Sequence, residues 1–253
     1  MKAKRGFFKR MGAAALAAGV IAGALALNVQ PAFAAAKFKV KTETYEKSYE
    51  LDDGTVYYSC SYEYPVISGD SAAAEKINNA IEKQRKVWVK ESDKQKDTYR
   101  EEMESYLKDY ADDEARSWSY SDEVKCEVTN NDGKYFSVLM SGYLYTGGAH
   151  GMPYRICATF DAKTGEKLTA AKILGTTKAK LNAKVRKLYL KKYDKKGAEA
   201  GFYDGREALE KELATMNFNS AFYMKNGKLR FYADPYALGP YASGFIEVSA
   251  SVK

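Results

Sequence analysis

The chain has 253 residues and a formal net charge of +7, from 40 basic and 33 acidic side chains. Five of the basic residues lie in positions 1–34, which contain no acidic residue, so the rest of the chain carries 35 − 33 = +2. This near balance argues against a nucleic-acid-binding protein, which concentrates positive charge on its surface.

The first 34 residues have the features of a secretory signal peptide. Five basic residues lie within positions 2–10, and an apolar run extends from Gly12 to Val29. Ala32-Phe33-Ala34 then provides a small-x-small cleavage site. The apolar run is rich in alanine and glycine and barely reaches the length of about 18–20 residues that spans a bilayer. We therefore expect cleavage near Ala34 rather than retention as an anchor, and a secreted chain with no membrane attachment.

The three cysteines, Cys60, Cys126 and Cys157, cannot all pair within one chain. An exported protein can form disulfides, and strand alternation makes Cys60–Cys126 the first candidate pair. Three buried thiols without a bridge are an equally good interpretation. No CxxC or Cys/His spacing is present, so we expect no metal and no cofactor.

Polar and apolar residues alternate in residues 37–50 and 55–67, which predicts two strands. Asp52-Asp53-Gly54 between them is typical of a hairpin turn. Ser71 then precedes two apolar stripes of helical period, which end near Tyr110 and are separated by the polar residues 91–97. The pattern allows one helix of about 40 residues or two helices, and typical helix lengths favour a break or bend.

Strands are predicted at residues 116–129 and 134–145, joined by a turn at 130–133, and again at 154–161. Thr176 or Thr177 caps a lysine-rich amphipathic helix that reaches about Tyr193. Its lysines could suit a membrane surface, but a packed helix with a solvated lysine face is favoured at this length.

A second helix is predicted at 206–216, followed by a hairpin around Asn226-Gly227, a loop at 234–244 and a last strand. The order of elements predicts an α+β fold, with antiparallel sheet and helices packed on one side. The chain could form two halves of similar size, residues 35–150 and 151–253.

His150 is the single histidine and lies among Gly147, Gly148 and Gly151. Glycines allow backbone conformations with positive φ and close approach of other groups, so a forced loop geometry is predicted. We expect the His150 ring to bond to the loop at 234–244 and to act structurally. The residues assigned to a binding surface are His150, Gly147, Gly148, Tyr145, Tyr236 and Tyr241.

No catalytic motif accompanies this loop. Metalloprotease, P-loop and dinucleotide-binding motifs are missing, and no nucleophile elbow provides a partner for His150. We therefore assign no catalytic residue and favour a protein that is not an enzyme.

Three segments together carry a family resemblance: TGGAHG at 146–151, FDAKTG at 160–165, and LRFYADPYALGPYASG at 229–244. The pattern resembles paired domains of unknown function in the extracellular, lysozyme-binding half of the anti-sigma factor RsiV. It is also similar to the region that precedes the catalytic part of PdaC-type peptidoglycan deacetylases. The resemblance extends from about residue 40 to the C-terminus.

This resemblance implies an exported α+β module of the cell envelope that recognises a lysozyme-like hydrolase or peptidoglycan. Because only about ten residues precede the apolar run, we expect neither a sigma-binding segment nor a deacetylase domain. The alternatives are a structural envelope protein without a small ligand and, less favoured, an envelope hydrolase that uses His150.

Overall fold

The computed structural model describes residues 37–110 and 118–252, all of which lie within one compact unit, residues 35–253. The predicted signal peptide at 1–34, and the predicted strand start near Arg116, lie outside the described residues. In the described part of the chain, no helix combines the length and the apolar character needed to cross a bilayer.

Five strands form the first sheet in sequence order. They are β1 (Lys39–Glu50), β2 (Val56–Ser68), β3 (Tyr120–Asn131), β4 (Tyr135–Tyr145) and β5 (Met152–Asp161). The hairpins predicted with turns at Asp52-Asp53-Gly54 and at residues 130–133 are confirmed by the antiparallel pairs β1–β2 and β3–β4. The sheet is not purely antiparallel, because β2 and β3 run parallel. A parallel pair needs a long crossover connection, and here a helix provides it.

That helix, α1 (Ala72–Asp109), is a single element of 38 residues, so the expected break at residues 91–97 is wrong. Beyond its first turn, the buried residues form two series with a spacing of eleven residues: Ile77, Trp88 and Tyr99, and Ile81, Ser92 and Met103. Eleven residues are close to three turns of an α-helix, so this repeat keeps one face toward the sheet over the whole length. Ser92 continues this face through the polar segment, and its hydroxyl lies 3.4 Å from the Cys60 sulfur.

The second sheet is antiparallel and three-stranded. Its elements are β6 (Phe222–Lys225), β7 (Lys228–Ala233) and β8 (Ile246–Ser251), preceded by the helices α2 (Ala170–Ile173), α3 (Lys178–Lys196) and α4 (Arg206–Thr215). Apolar residues of α3 and α4 share a core with one face of this sheet. The predicted α+β class is confirmed, with helices packed on one side of each sheet.

The other face of the second sheet packs against β4 and β5. Tyr223 and Tyr232 form a buried cluster with Leu139 and Cys157. Arg155 on β5 donates to Glu247 on β8 at 2.5 Å. The suggested division near residue 150 stays a prediction, and β5, which follows it, hydrogen-bonds to β4 in the first sheet.

All three cysteines are free thiols. Cys60 lies opposite Asp122 in the parallel β2–β3 register, so Cys126 is four residues further along the neighbouring strand. At about 3.3 Å per residue that offset is about 13 Å, whereas a disulfide needs Cα atoms about 4.4–6.8 Å apart. The candidate Cys60–Cys126 bridge is therefore wrong. Burial raises the pKa of each thiol, which disfavours the reactive thiolate.

Candidate binding site

The loop between β4 and β5 holds the predicted glycine–histidine segment. Gly147 and Gly148 have φ values of +79° and +85°, where residues with side chains are strained. Gly151 allows a close approach instead: a Cβ there would lie 2.7 Å from the Leu144 carbonyl oxygen and 2.7 Å from the Tyr143 ring. The Gly151 backbone N–H donates to the Tyr143 hydroxyl at 2.7 Å. The glycines thus fold the loop back over Tyr143.

His150 lies at the exposed tip of this loop. Its ring stacks on Tyr241, with the centroids 3.8 Å apart and an interplanar angle of 22°. Its Nδ1 lies 2.9 Å from the Gly151 carbonyl oxygen. The two loops therefore meet as expected, through a ring stack rather than a hydrogen bond.

The partner loop spans residues 234–244 and presents two tyrosines. Tyr236 has φ +66°, a rare conformation for an aromatic residue. Its ring lies 5.8 Å from that of Tyr241. Gly239 fixes the loop against the preceding chain, since a Cβ there would lie 1.8 Å from the Gly201 carbonyl oxygen. Strain held at a surface position suggests a functional constraint.

We call Tyr143, His150, Tyr236 and Tyr241 the aromatic platform. Tyr143 and Tyr236 are 39% and 48% exposed, so their rings face solvent. Desolvation and then the hydrogen bond with Tyr143 raise the pKa of Tyr241. The platform thus offers several adjoining ring faces, and hydroxyl groups that can donate and accept hydrogen bonds.

The other predicted site residues lie beside the platform. Tyr145 donates to the Gly148 carbonyl at 3.0 Å and so braces the loop. The Tyr145 ring makes an edge-on contact with Trp118. Trp118 in turn contacts Tyr106. This is a separate aromatic group. Tyr145, Gly147 and Gly148 thus shape the loop, whereas His150, Tyr236 and Tyr241 form the surface.

Sequence reasoning missed Tyr143. Its signal was present, because residues two apart on a strand share a face and Tyr143 precedes Tyr145 by two positions. The sequence does not show how the second sheet packs on the first. The contact between Tyr143 and residues near position 241 could therefore not be predicted.

The structure also contains a buried carboxyl group, Asp122 on β3. Tyr154 and Tyr62 donate to its two oxygens at 2.8 Å and 3.1 Å. Burial raises its pKa to about 6, against the lowering effect of these two hydrogen bonds. Asp122 is only 6% exposed, so it lies in the interior and not on the platform.

The contacts of His150 are with a backbone carbonyl and a tyrosine ring. Among the described residues, no carboxylate and no Ser, Thr or Cys side chain hydrogen-bonds to His150. In nucleophilic catalysis, a histidine base lies within hydrogen-bond reach of the Ser, Thr or Cys that it activates. The same residues contain no group of three His, Cys, Asp or Glu side chains placed to hold a metal.

We expect His150→Ala to lower the melting temperature by about 2–4 °C. An aromatic stack contributes about 1 kcal/mol, and a loss of that size shifts the midpoint by about this amount in a domain of 150–250 residues. A thermal scan followed by circular dichroism measures the change. His150→Phe keeps a ring against Tyr241 and should restore most of the loss. An unchanged midpoint in His150→Ala would contradict the structural role.

Comparison with known proteins gives two family matches. Residues 51–153 match the family model described as deacetylase PdaC, and residues 170–251 match that of a protein of unknown function, DUF3298. None of the curated proteins matches the chain. The platform draws on both matched regions, since His150 lies in the first and Tyr241 in the second.

Two solved structures of DUF3298 family members are similar. The Bacteroides fragilis protein is 21% identical, with a TM-score of 0.54 over 85% of this chain and 90% of its own. The Pseudomonas aeruginosa protein is 13% identical, with a TM-score of 0.49 over 86% of this chain and 91% of its own. The chain thus joins a region matching the PdaC family model to one matching DUF3298, and its fold is similar to that of the Bacteroides fragilis protein.

Proposed function

We propose that the protein is an exported, non-catalytic module that binds cell-wall glycan through the aromatic platform. The observation that carries the proposal is the stack of the exposed His150 ring on the half-buried Tyr241 ring, flanked by the exposed Tyr143 and Tyr236. The match of residues 51–153 to a model described as a deacetylase, and the resemblance to modules of peptidoglycan deacetylases, support a glycan ligand.

The chemistry of the platform suits a sugar ring. An aromatic ring carries partial negative charge on its face, and the C–H bonds on the apolar face of a pyranose present partial positive charge to it. The tyrosine hydroxyls lie at the ring edges, where they can reach the hydroxyl and amide groups of the sugar. Rigid aromatic side chains also lose little conformational entropy on binding.

Export is part of the proposal. The basic residues, apolar run and small-x-small site in residues 1–34 support a cleaved signal peptide, and an exported module would meet cell-wall glycan outside the cytoplasm. A hydrolase is less well supported, because His150 contacts a backbone carbonyl and a tyrosine ring instead of a carboxylate or nucleophile.

The test is calorimetric titration of residues 35–253 with soluble peptidoglycan fragments. Tyr236→Ala and Tyr241→Ala should each weaken binding about tenfold, since loss of one ring contact of about 1.4 kcal/mol corresponds to that factor. Tyr110→Ala is the matched control: Tyr110 is 56% exposed, but its ring stacks on Tyr106 in the other aromatic group. Its binding should be unchanged.

A parallel titration with lysozyme distinguishes binding of glycan from binding of a lysozyme-like hydrolase, the other partner that the resemblance suggests. Saturable binding of lysozyme without glycan binding would replace our proposal with recognition of the hydrolase. Binding of neither ligand would leave a structural envelope role. The platform would then serve only to hold the two loops together.

A further inference from the structure

The helix α3 carries a straight row of lysines, which we call the lysine face: Lys180, Lys184, Lys187, Lys191 and Lys195. All five are exposed. At about 100° per residue they fall within an arc of about 80° around the helix axis, and at about 1.5 Å per residue the row is about 22 Å long. Five of the nine basic residues of α3 therefore lie on one side of the helix.

The lysine face is not neutralised by the described part of the protein. None of its five ammonium groups forms an ion pair there, whereas lysines elsewhere do, as in Lys125–Glu63 and Lys225–Glu127. The one acidic residue of α3, Asp194, accepts from Arg206 at 2.9 Å. Like charges three and four residues apart on a helix repel one another. The row therefore destabilises the helix, and a bound anion would offset this repulsion.

The lysine face is held on a rigid support. Leu181, Val185 and Tyr189 on the opposite side of the helix are fully buried. The Tyr189 hydroxyl donates to the backbone carbonyls of Ile246 at 2.9 Å and Phe231 at 3.3 Å. The apolar face is therefore committed to the core and cannot enter a bilayer, which an amphipathic membrane-surface helix must do.

We propose that the lysine face of α3 binds a linear phosphodiester polymer. Lysine ammonium groups bind phosphate as point charges, and here they are spaced about 4.5–6 Å along one axis. A linear chain of phosphates can neutralise such a row along its whole length. The lysine face shares no residue with the aromatic platform, so a glycan and a polyanion would be bound by different side chains of the same module.

The test measures binding of poly(glycerol phosphate) to residues 35–253 as a function of salt concentration. The variant Lys184→Gln/Lys187→Gln/Lys191→Gln should bind at least tenfold more weakly. The slope of log affinity against log salt should fall by about 2, because each neutralised contact no longer displaces about 0.7 of a counterion. The matched control, Lys83→Gln/Lys90→Gln/Lys108→Gln, removes the same charge from exposed positions on α1 and should bind within twofold of the wild type.

Three results would overturn the proposal: no binding by the wild type at 50 mM salt, equal losses in the two triple variants, or binding to phosphatidylglycerol vesicles in preference to the polymer. The last would assign the lysine face to a lipid surface. Binding of peptidoglycan fragments by the lysine variant should be unchanged, so the outcome is independent of the proposal for the aromatic platform.

Discussion

Gly142→Ala is expected to cost about 4 kcal/mol of the free energy of unfolding. Gly142 on β4 lies directly opposite Tyr154 on β5, and the tyrosine ring crosses over it. A Cβ at position 142 would lie 2.1 Å from the Tyr154 Cζ, far inside van der Waals contact. Overpacking of this kind costs about 1–3 kcal/mol.

The ring cannot swing aside without a further loss. Its hydroxyl donates to the buried Asp122 carboxylate at 2.8 Å, and a hydrogen bond to a charged group contributes about 1.5–3 kcal/mol. Clash and lost hydrogen bond together give the expected total. The strand therefore needs glycine here because a neighbouring aromatic ring occupies the place of its side chain.

Denaturant unfolding measures the loss. The control is Ser141→Ala, an exposed neighbour on β4, which should stay within about 0.5 kcal/mol of the wild type. In a double-mutant cycle, Gly142→Ala should add little destabilisation to Tyr154→Ala, because the clashing ring is already gone. Full additivity of the two changes would contradict this explanation.

The second large effect concerns pH. Asp122→Asn is expected to be more stable than the wild type by about 2 kcal/mol at pH 8 and equal to it near pH 4. Burial raises the pKa of Asp122 to about 6 in the folded protein, compared with about 3.9 in an unfolded chain. A shift of about two units corresponds to about 3 kcal/mol, and a small part of this has already developed at pH 4 because the unfolded carboxyl group is about half ionised there.

The sign of this pH dependence follows from when Asp122 binds its proton. Between pH 4 and 6 the folded protein holds the Asp122 proton and the unfolded chain does not, so the contribution of this group to stability falls as pH rises through that window. The asparagine variant cannot lose a proton there. The difference in free energy of unfolding between variant and wild type should therefore grow from about pH 4 to 6 and level off above it.

Urea unfolding at closely spaced pH values tests this difference. Subtracting the wild-type curve removes the contributions of surface carboxylates, several of which have lowered pKa values from ion pairs, such as Glu63 with Lys125. Asp109→Asn, at the exposed end of α1, is the control for removal of a carboxyl group that is not buried. A difference for Asp122→Asn that is flat across pH 4–8 would show that the carboxyl group is not destabilised by burial.

Local patterns in the sequence predicted much of the fold. The Asn226-Gly227 hairpin forms with both residues at positive φ, as the side-chain preferences of that turn require. Ser71 caps α1 through its hydroxyl, and Thr177 caps α3. These features depend on interactions between residues close in the chain, which a sequence displays directly.

Some features were not predicted because polar residues interrupted an otherwise apolar pattern of buried positions. The polar run at 91–97 predicted a break, but Ser92 lies at the buried position of the repeat and contacts Cys60. Asp122 alternates with Tyr120 and Val124, which are both buried, so its strand position already indicated burial. Hydrogen bonds from the Tyr154 and Tyr62 hydroxyls satisfy its two carboxyl oxygens in this interior position.

By itself, the sequence determined the α+β class, most strand and helix positions, the glycine-rich loop around His150 and the residues of the loop at 234–244, because these follow from backbone preferences and short-range periodicity. Tertiary structure decided which distant residues meet. The parallel register of β2 and β3 keeps Cys60 from Cys126, and the packing of the second sheet on β4 and β5 allows Tyr241 to stack on His150. Such pairings depend on strand register and sheet packing, which arise from the balance of burial over the whole chain and leave no local mark in the sequence.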